Sequence, residues 1–319
     1  NIKSEIETES NLINPQAYEY YLKGKYKIDK AREKEDIRIA RELYLKAFDI
    51  DNDFILAKTS YAATFAQTEP DKGIKILKEM LISLSHKLSI NESALIHSCL
   101  GHNYFFKLDK DNSKKHSEIA LDLYSQCNNK QRVGVLTLNL SGSAIQYFKI
   151  SDAIKYCNES MRIGLELEDE MLISFTNLNL GYIYAIVGQF DKSDKYLNLA
   201  KMFCKETSNT YWLGITIIGQ GLNYLNSNKY HESIVSYKSG YEILEAFDNK
   251  TTLFTCCTNL SICYLLIGDL ENAAKYIEIA NLYISDDRLN EDNKLCFQIL
   301  DRLIKCDKSK DSKLENSLE

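Results

Sequence analysis

The feature that most constrains this chain is a self-similarity with a period of 40 residues. A leucine–small pair recurs as Leu100-Gly101, Leu140-Ser141, Leu180-Gly181 and Leu260-Ser261, with Gln220-Gly221 in the remaining slot. Twelve residues after each small residue stand Ser113, Ala153, Ser193, Ser233 and Ala273. Nineteen residues after it stand Ala120, Ser160, Ala200, Gly240 and Ala280. Five units in one register point to an array in which each unit buries its apolar face against its neighbours.

Each unit has room for two helices and a turn, as in "AIVGQFDKSDKYLNLA" and "LLIGDLENAAKYIEIA". Gly188 and Gly268 fall where the first helix must end, a place that favours a left-handed residue. Gly181, Ser193 and Ala200 let neighbouring helices approach closely, and Tyr184 and Leu197 fill the space between them. Two prolines and 13 glycines in 319 residues are too few for the turns of an all-β chain.

The order leucine–small–x–x–tyrosine, turn, then alanine–aromatic or aliphatic–alanine resembles the tetratricopeptide repeat family. The long period is similar to the branch found in bacterial regulators and kinesin-light-chain-like proteins. Within the first 65 residues, "NPQAYEYYLKGKYKID" and "ARELYLKAFDIDNDFILAKTSYAATF" resemble the repeat region that follows nucleotide-cyclase or winged-helix domains in multidomain bacterial proteins. Asn14-Pro15 is a good helix start, with proline in the first turn. The resemblance implies an all-α fold, a right-handed α-solenoid of antiparallel helix pairs (a TPR-like superhelix) with a C-terminal capping helix. Repeats are expected at 15–50, 53–88, 91–130, 131–170, 171–210, 211–250 and 251–286, with the cap at 288–306. The solenoid then covers 15–306. Residues 1–13 read as a disordered segment or linker and 307–319 as a disordered tail. Ser141 and Ala144 depart from the pattern where glycine and tyrosine are expected, and 74–85 reads as irregular.

Composition removes several classes. The net charge of −6, from 45 acidic and 39 basic residues, disfavours a nucleic-acid surface. The charge-free windows Met171–Phe190 and Thr207–Asn228 carry several Asn, Gln, Ser or Thr, which a lipid-facing helix seldom tolerates, so no membrane span is expected. Nine cysteines, an odd number without a CxxC, suit reduced thiols in a cytoplasmic protein. The chain starts at Asn1 without a leader and reads as a piece of a longer protein.

The two helices of a unit differ in charge. Among the first-helix windows 94–107, 134–147, 174–187, 214–227 and 254–267 only Lys107 is charged, against about eighteen expected at average charge content. The second helices take the charges, as with Asp191, Lys192, Asp194, Lys195, Lys201 and Lys205. A helix without a charged face is buried or lines a protected surface. In tetratricopeptide solenoids the first helices line the concave face, so the resemblance implies a neutral groove there. Offsets of three and four place one stripe per helix: Cys99, His102 and Phe106; Asn139, Gly142 and Gln146; Asn179, Tyr182 and Ile186; Gly219, Leu222 and Asn226; Asn259, Ile262 and Leu266.

An amide presents a donor and an acceptor together, which matches the backbone of an extended peptide. In related peptide-binding repeats first-helix asparagines have this role, and the resemblance carries it to Asn139, Asn179 and Asn259. Tyr182, Gln146, Asn226 and His102 complete the candidate peptide-binding set. The other reading is structural: these amides bond to a neighbouring repeat or to water and only fix stacking. The dearth of Lys and Arg speaks against a clamp for C-terminal carboxylates.

No catalytic constellation emerges, and neither a cofactor nor a metal is expected. "GQG" at 219–221 falls in the packing slot of its repeat. In "HSCLGH", His97 and Cys99 lie on different helix faces. "DKDNS" at 109–113 has Lys114 where a calcium loop needs glycine. Cys256-Cys257 read as packing residues and Glu168-Asp169-Glu170 as helix caps. The expectation is a non-catalytic scaffold that binds a protein segment or peptide, the regulatory or sensory module of a larger bacterial signalling protein. An intracellular receptor for a short signalling peptide and a passive dimerisation or tethering module, with a homodimer possible, remain as alternatives.

Overall fold

In a computed structural model of the chain, the described residues are 13–31, 34–247, 249–284, 289 and 293–305. They form helices and turns, with no strand among them. The expected linker (residues 1–12 of it) and the tail at 307–319 lie outside the described residues. The contacts divide the chain into two compact units, one ending at Thr176 and one beginning at Asn177.

The first unit contains α1 (Pro15–Asp29), α2 (Lys34–Ile50), α3 (Ile55–Ala63), α4 (Pro70–Ser83), α5 (Ile90–Phe106), α6 (Lys110–Gln126), α7 (Lys130–Gln146) and α8 (Ile150–Leu167). The boundary falls inside α9 (Glu170–Ile186). The second unit continues with α10 (Phe190–Glu206), α11 (Thr210–Asn226), α12 (Tyr230–Glu245), α13 (Lys250–Leu266) and α14 (Leu270–Asn281). A last helix, α15, spans 293–305. Residues 288, 290–292 and 306 of the expected cap lie outside the described residues.

Local chemistry explains where helices begin. Asn14 caps α1, its Oδ1 accepting from the Gln16 and Ala17 amides at 2.9 and 3.4 Å, and Pro15 takes the position that needs no amide. Ser89 and Glu92 form a capping box on α5. Asn129, Asn209 and Asn249 cap α7, α11 and α13 through their side chains, and Asp169 accepts from the Leu172 amide at 3.0 Å in α9. Each such cap is worth roughly 1 kcal/mol. The stretch expected to be irregular, 74–85, is instead mostly regular helix: α4 buries Gly73, Ile74, Leu77 and Met80 along one face. The shortening falls earlier, in the nine-residue α3.

Helix ends follow a finer period than the sequence suggests. Among the described residues positive φ occurs at Leu108, Asn128, Phe148, Glu168, Gly188, Ser208, Asn228 and Gly268, so the same left-handed turn returns every 20 residues from 108 to 228, both within and between repeats, and again at 268. Only two of these eight are glycine. The other six carry a Cβ that disfavours this conformation, and the helices on both sides hold them there.

The small slots act as expected, with a hydrogen bond added. A Cβ on Gly181 would meet Leu197 Cγ at 2.5 Å. The residue twelve positions on then reaches the slot's carbonyl: Ser113 donates to Gly101 at 2.9 Å, and Ser193 to Gly181 and Ser233 to Gly221 at 2.8 Å each. In the last repeat the direction reverses, Ser261 donating to the Ala273 carbonyl at 2.7 Å. These serines are buried, and their hydroxyls are satisfied by backbone that close packing brings within reach.

Candidate functional site

In the first unit, His102 on α5 is half-buried and stands edge-on to Phe106 with centroids 5.0 Å apart. Burial pushes its imidazole down to about 4, so it is a neutral ring at pH 7. Cys99, one turn earlier, has its thiol pushed up to about 11 by the same cause. On α7, Asn139 is exposed and Gln146, its last residue, is half-buried. The charge-free stretch has limits: α5 carries Glu92, and α7 carries Lys130 and Arg132, all in first turns outside the windows counted above. Lys107 caps the end of α5 and pairs with Asp71 at 2.5 Å.

In the second unit the stripe is largely committed to its neighbours. The Tyr182 hydroxyl donates to the Ile215 carbonyl of α11 at 2.9 Å. Its ring lies 3.0 Å from where a Cβ on Gly219 would stand, so this glycine makes room for it. Burial raises the Tyr182 phenol above its ordinary range. Asn226 donates to the Ala185 carbonyl at 3.1 Å, tying α11 back to α9. Asn259 on α13 donates to the Tyr237 hydroxyl of α12 at 2.9 Å, and Tyr237 is 0% exposed. Asn179 is half-buried on α9. The amides expected to act alike therefore differ: Asn139 is exposed, whereas Asn259 has an internal bond, as does Asn226 of the neighbouring slot.

Sequence reasoning missed a second set of polar residues. Asn103 and Asn223 precede the tyrosine of their repeats and are 0% and 3% exposed. Asn223 donates to the Phe190 carbonyl at 3.2 Å, and Asn103 to the Cys99 carbonyl at 2.8 Å. Their recurrence in "HNY" and "LNY" was the available signal. Gln220, in a leucine slot, is buried. It donates to Asn198 Oδ1 at 2.9 Å and accepts from Lys201 Nζ at 2.7 Å. Gly221 packs 3.1 Å from the Tyr237 ring, counted from a built Cβ, so "GQG" belongs to the packing.

Among the described residues, no group of three or more His, Cys, Asp or Glu side chains could hold a metal. No described helix is long and apolar enough to cross a membrane.

No family model and no curated protein sequence matches the chain. Solved structures do. The chain is similar to NprR in complex with its cognate peptide NprX, at 15% identity and a TM-score of 0.65, over 83% of this chain and 78% of that one. It is similar to a Rap protein complexed with competence and sporulation factor, at 14% identity and a TM-score of 0.61, over 97% and 92%. Aspartyl phosphate phosphatase F from Bacillus subtilis follows at 15% identity and 0.58, over 86% and 73%.

Proposed function

Because its fold is the helical-repeat fold of tetratricopeptide proteins, we propose that this chain is a non-catalytic scaffold that binds a short peptide or protein segment on the uncharged face of its first helices. The observation that carries this reading is the charge asymmetry. Five consecutive first-helix windows hold one charged residue, Lys107, at a helix end. An extended peptide needs amide donors and acceptors from such a face and little net charge. The similar structures solved with a cognate peptide and with competence and sporulation factor support it. On this reading the chain is a receptor for a short signalling peptide rather than a passive tether, with regulation of a larger bacterial protein as the wider role, in the cytoplasm. Asn139 is the residue best placed for contact, since it is exposed. Asn179, Tyr182, Gln146, Asn226 and His102 would line the same stripes. Asn259 would contribute through its carbonyl oxygen, its amide nitrogen already serving Tyr237.

The test is selection from a pooled library of synthetic heptapeptides on the immobilised chain, with retained peptides sequenced by mass spectrometry. A defined subset should be retained, and Asn139→Ala should weaken it roughly tenfold, the effect of about 1.4 kcal/mol of lost hydrogen bonding. Retention no better than on an unrelated helical protein at 100-fold peptide excess (on the order of 100 µM, the weak end of peptide affinities) overturns the proposal.

A further inference from the structure

The two helices of a repeat are joined by a pair of stacked rings twelve residues apart. Tyr184 stacks on Tyr196 at 5.5 Å and 10°, and Tyr264 on Tyr276 at 5.6 Å and 7°. Between α5 and α6 the same position holds Tyr104 on His116, at 5.5 Å and 4°. One repeat thus has a titratable imidazole where two others have a phenol. That imidazole meets a second one: His97 Nδ1 of α5 lies 2.8 Å from His116 Nδ1, with rings 5.1 Å apart at 25°. Two ring nitrogens at this distance share one proton, one donating and the other accepting. Uptake of one proton makes one ring an imidazolium that still donates to its neutral partner; uptake of a second makes both ring nitrogens donors and places two cations in contact.

We propose that His97 and His116 form a proton-sensitive latch between α5 and α6, closed while one ring nitrogen can accept the proton of the other and opened when both rings are protonated.

The surroundings oppose that second proton. Lys115 of α6 faces both rings, while Lys78 of α4 and Asp109 of the preceding turn face His116. Lys78 Nζ also sits 5.5 Å from the Tyr104 ring. The pair is thus faced by two ammonium groups and one carboxylate. Burial is the larger cause, lowering His97 and pushing His116 down to about 4. A histidine lowered on folding stabilises the fold above its unfolded value of about 6.5. That stability is lost as pH falls from there towards the folded value. For His116 alone, unfolding at pH 5 becomes roughly 30-fold more favourable than at pH 8. Helix α5 also carries Cys99 and His102, so opening the latch moves one helix of the candidate face. The latch itself does not depend on that face binding a peptide.

Hydrogen exchange of the full chain at pH 7.5 and 5.0, corrected for intrinsic rates, reads the latch directly. Peptides from α5 and α6 should lose protection at least tenfold at pH 5.0 while those from α12 hold. His116→Tyr copies Tyr196 and Tyr276, and His97→Asn copies Asn177, 80 residues on in the repeat register. Either substitution removes one ring of the pair and should cut the loss at least several-fold, the remainder coming from the buried histidines left in place, His102 of α5 among them; if the first fails to fold the second decides. Undiminished protection of the wild type at pH 5.0, or an equal loss in the variants, overturns the proposal. So do long-range proton–nitrogen spectra in which both imidazoles become fully protonated near pH 6.5.

Discussion

Asn139 and Asn259 occupy the same slot of their repeats, yet the structure assigns them different costs of removal. Asn259→Ala deletes the donor that serves the Tyr237 hydroxyl at 2.9 Å and leaves that hydroxyl on a side chain 0% exposed. An orphaned buried polar group costs about 1–3 kcal/mol, and alanine's better helix propensity returns roughly 0.5 kcal/mol. The net expectation is a loss of about 1–2 kcal/mol. Replacing Tyr237 by Phe in the same molecule removes the orphan, so the two substitutions should couple by about 1 kcal/mol in a double-mutant cycle. Asn139→Ala, at an exposed position, should stay within about 0.5 kcal/mol of the parent. Equilibrium urea unfolding followed by far-ultraviolet circular dichroism measures all five proteins (parent, three single variants and the double variant), with the midpoint compared at constant slope. The reasoning fails if Asn259→Ala is as stable as the parent, or if Asn139→Ala is the costlier change. It also fails if the pair 237/259 shows no coupling, because the bond then contributes nothing to stacking.

Two further outcomes follow from backbone and packing. Phe148 is exposed and held at φ 53°, so Phe148→Gly relieves a left-handed cost of about 1–2 kcal/mol against roughly 0.5–1 kcal/mol of added chain entropy; thermal unfolding should show an unchanged or slightly raised midpoint, where a helical residue replaced by glycine would lower it. Gly181→Ala places a Cβ 2.5 Å from Leu197 Cγ and 3.3 Å from its backbone nitrogen, and should cost about 1–3 kcal/mol by overpacking, measured by the same urea titration, whereas alanine at Gly188, where a Cβ meets nothing within 4 Å, should report only the strain of its positive φ.

Much of the fold is legible in the chain because its signals are averages over many positions. The 40-residue period, two helices per unit, the tight slots at Gly181, Ser193 and Ala200 and the turns at Gly188 and Gly268 each follow from residue size and polarity repeated in phase. The sequence also separated a neutral first helix from a charged second one, since charge on a helix face reports which side water reaches. Other features left no such mark. Leu108, Phe148, Glu168 and Ser208 adopt left-handed turns that no residue preference announces, because the flanking helices impose them, whereas Asn128 and Asn228 are of a type that tolerates this conformation. The candidate site was legible only as a stripe. Whether an amide on it faces outward, as Asn139 does, or meets Tyr237, as Asn259 does, depends on which side chain the adjacent helix places within 3 Å. His97 and His116 were dismissed or overlooked for the same reason: 19 residues separate them in sequence, and only the antiparallel return of α6 along α5 brings the two rings into contact. Periodicity fixes which face of a helix is turned inward. The partner of each polar atom is fixed by distances of an ångström or less between elements, and those exist only after the helices have packed.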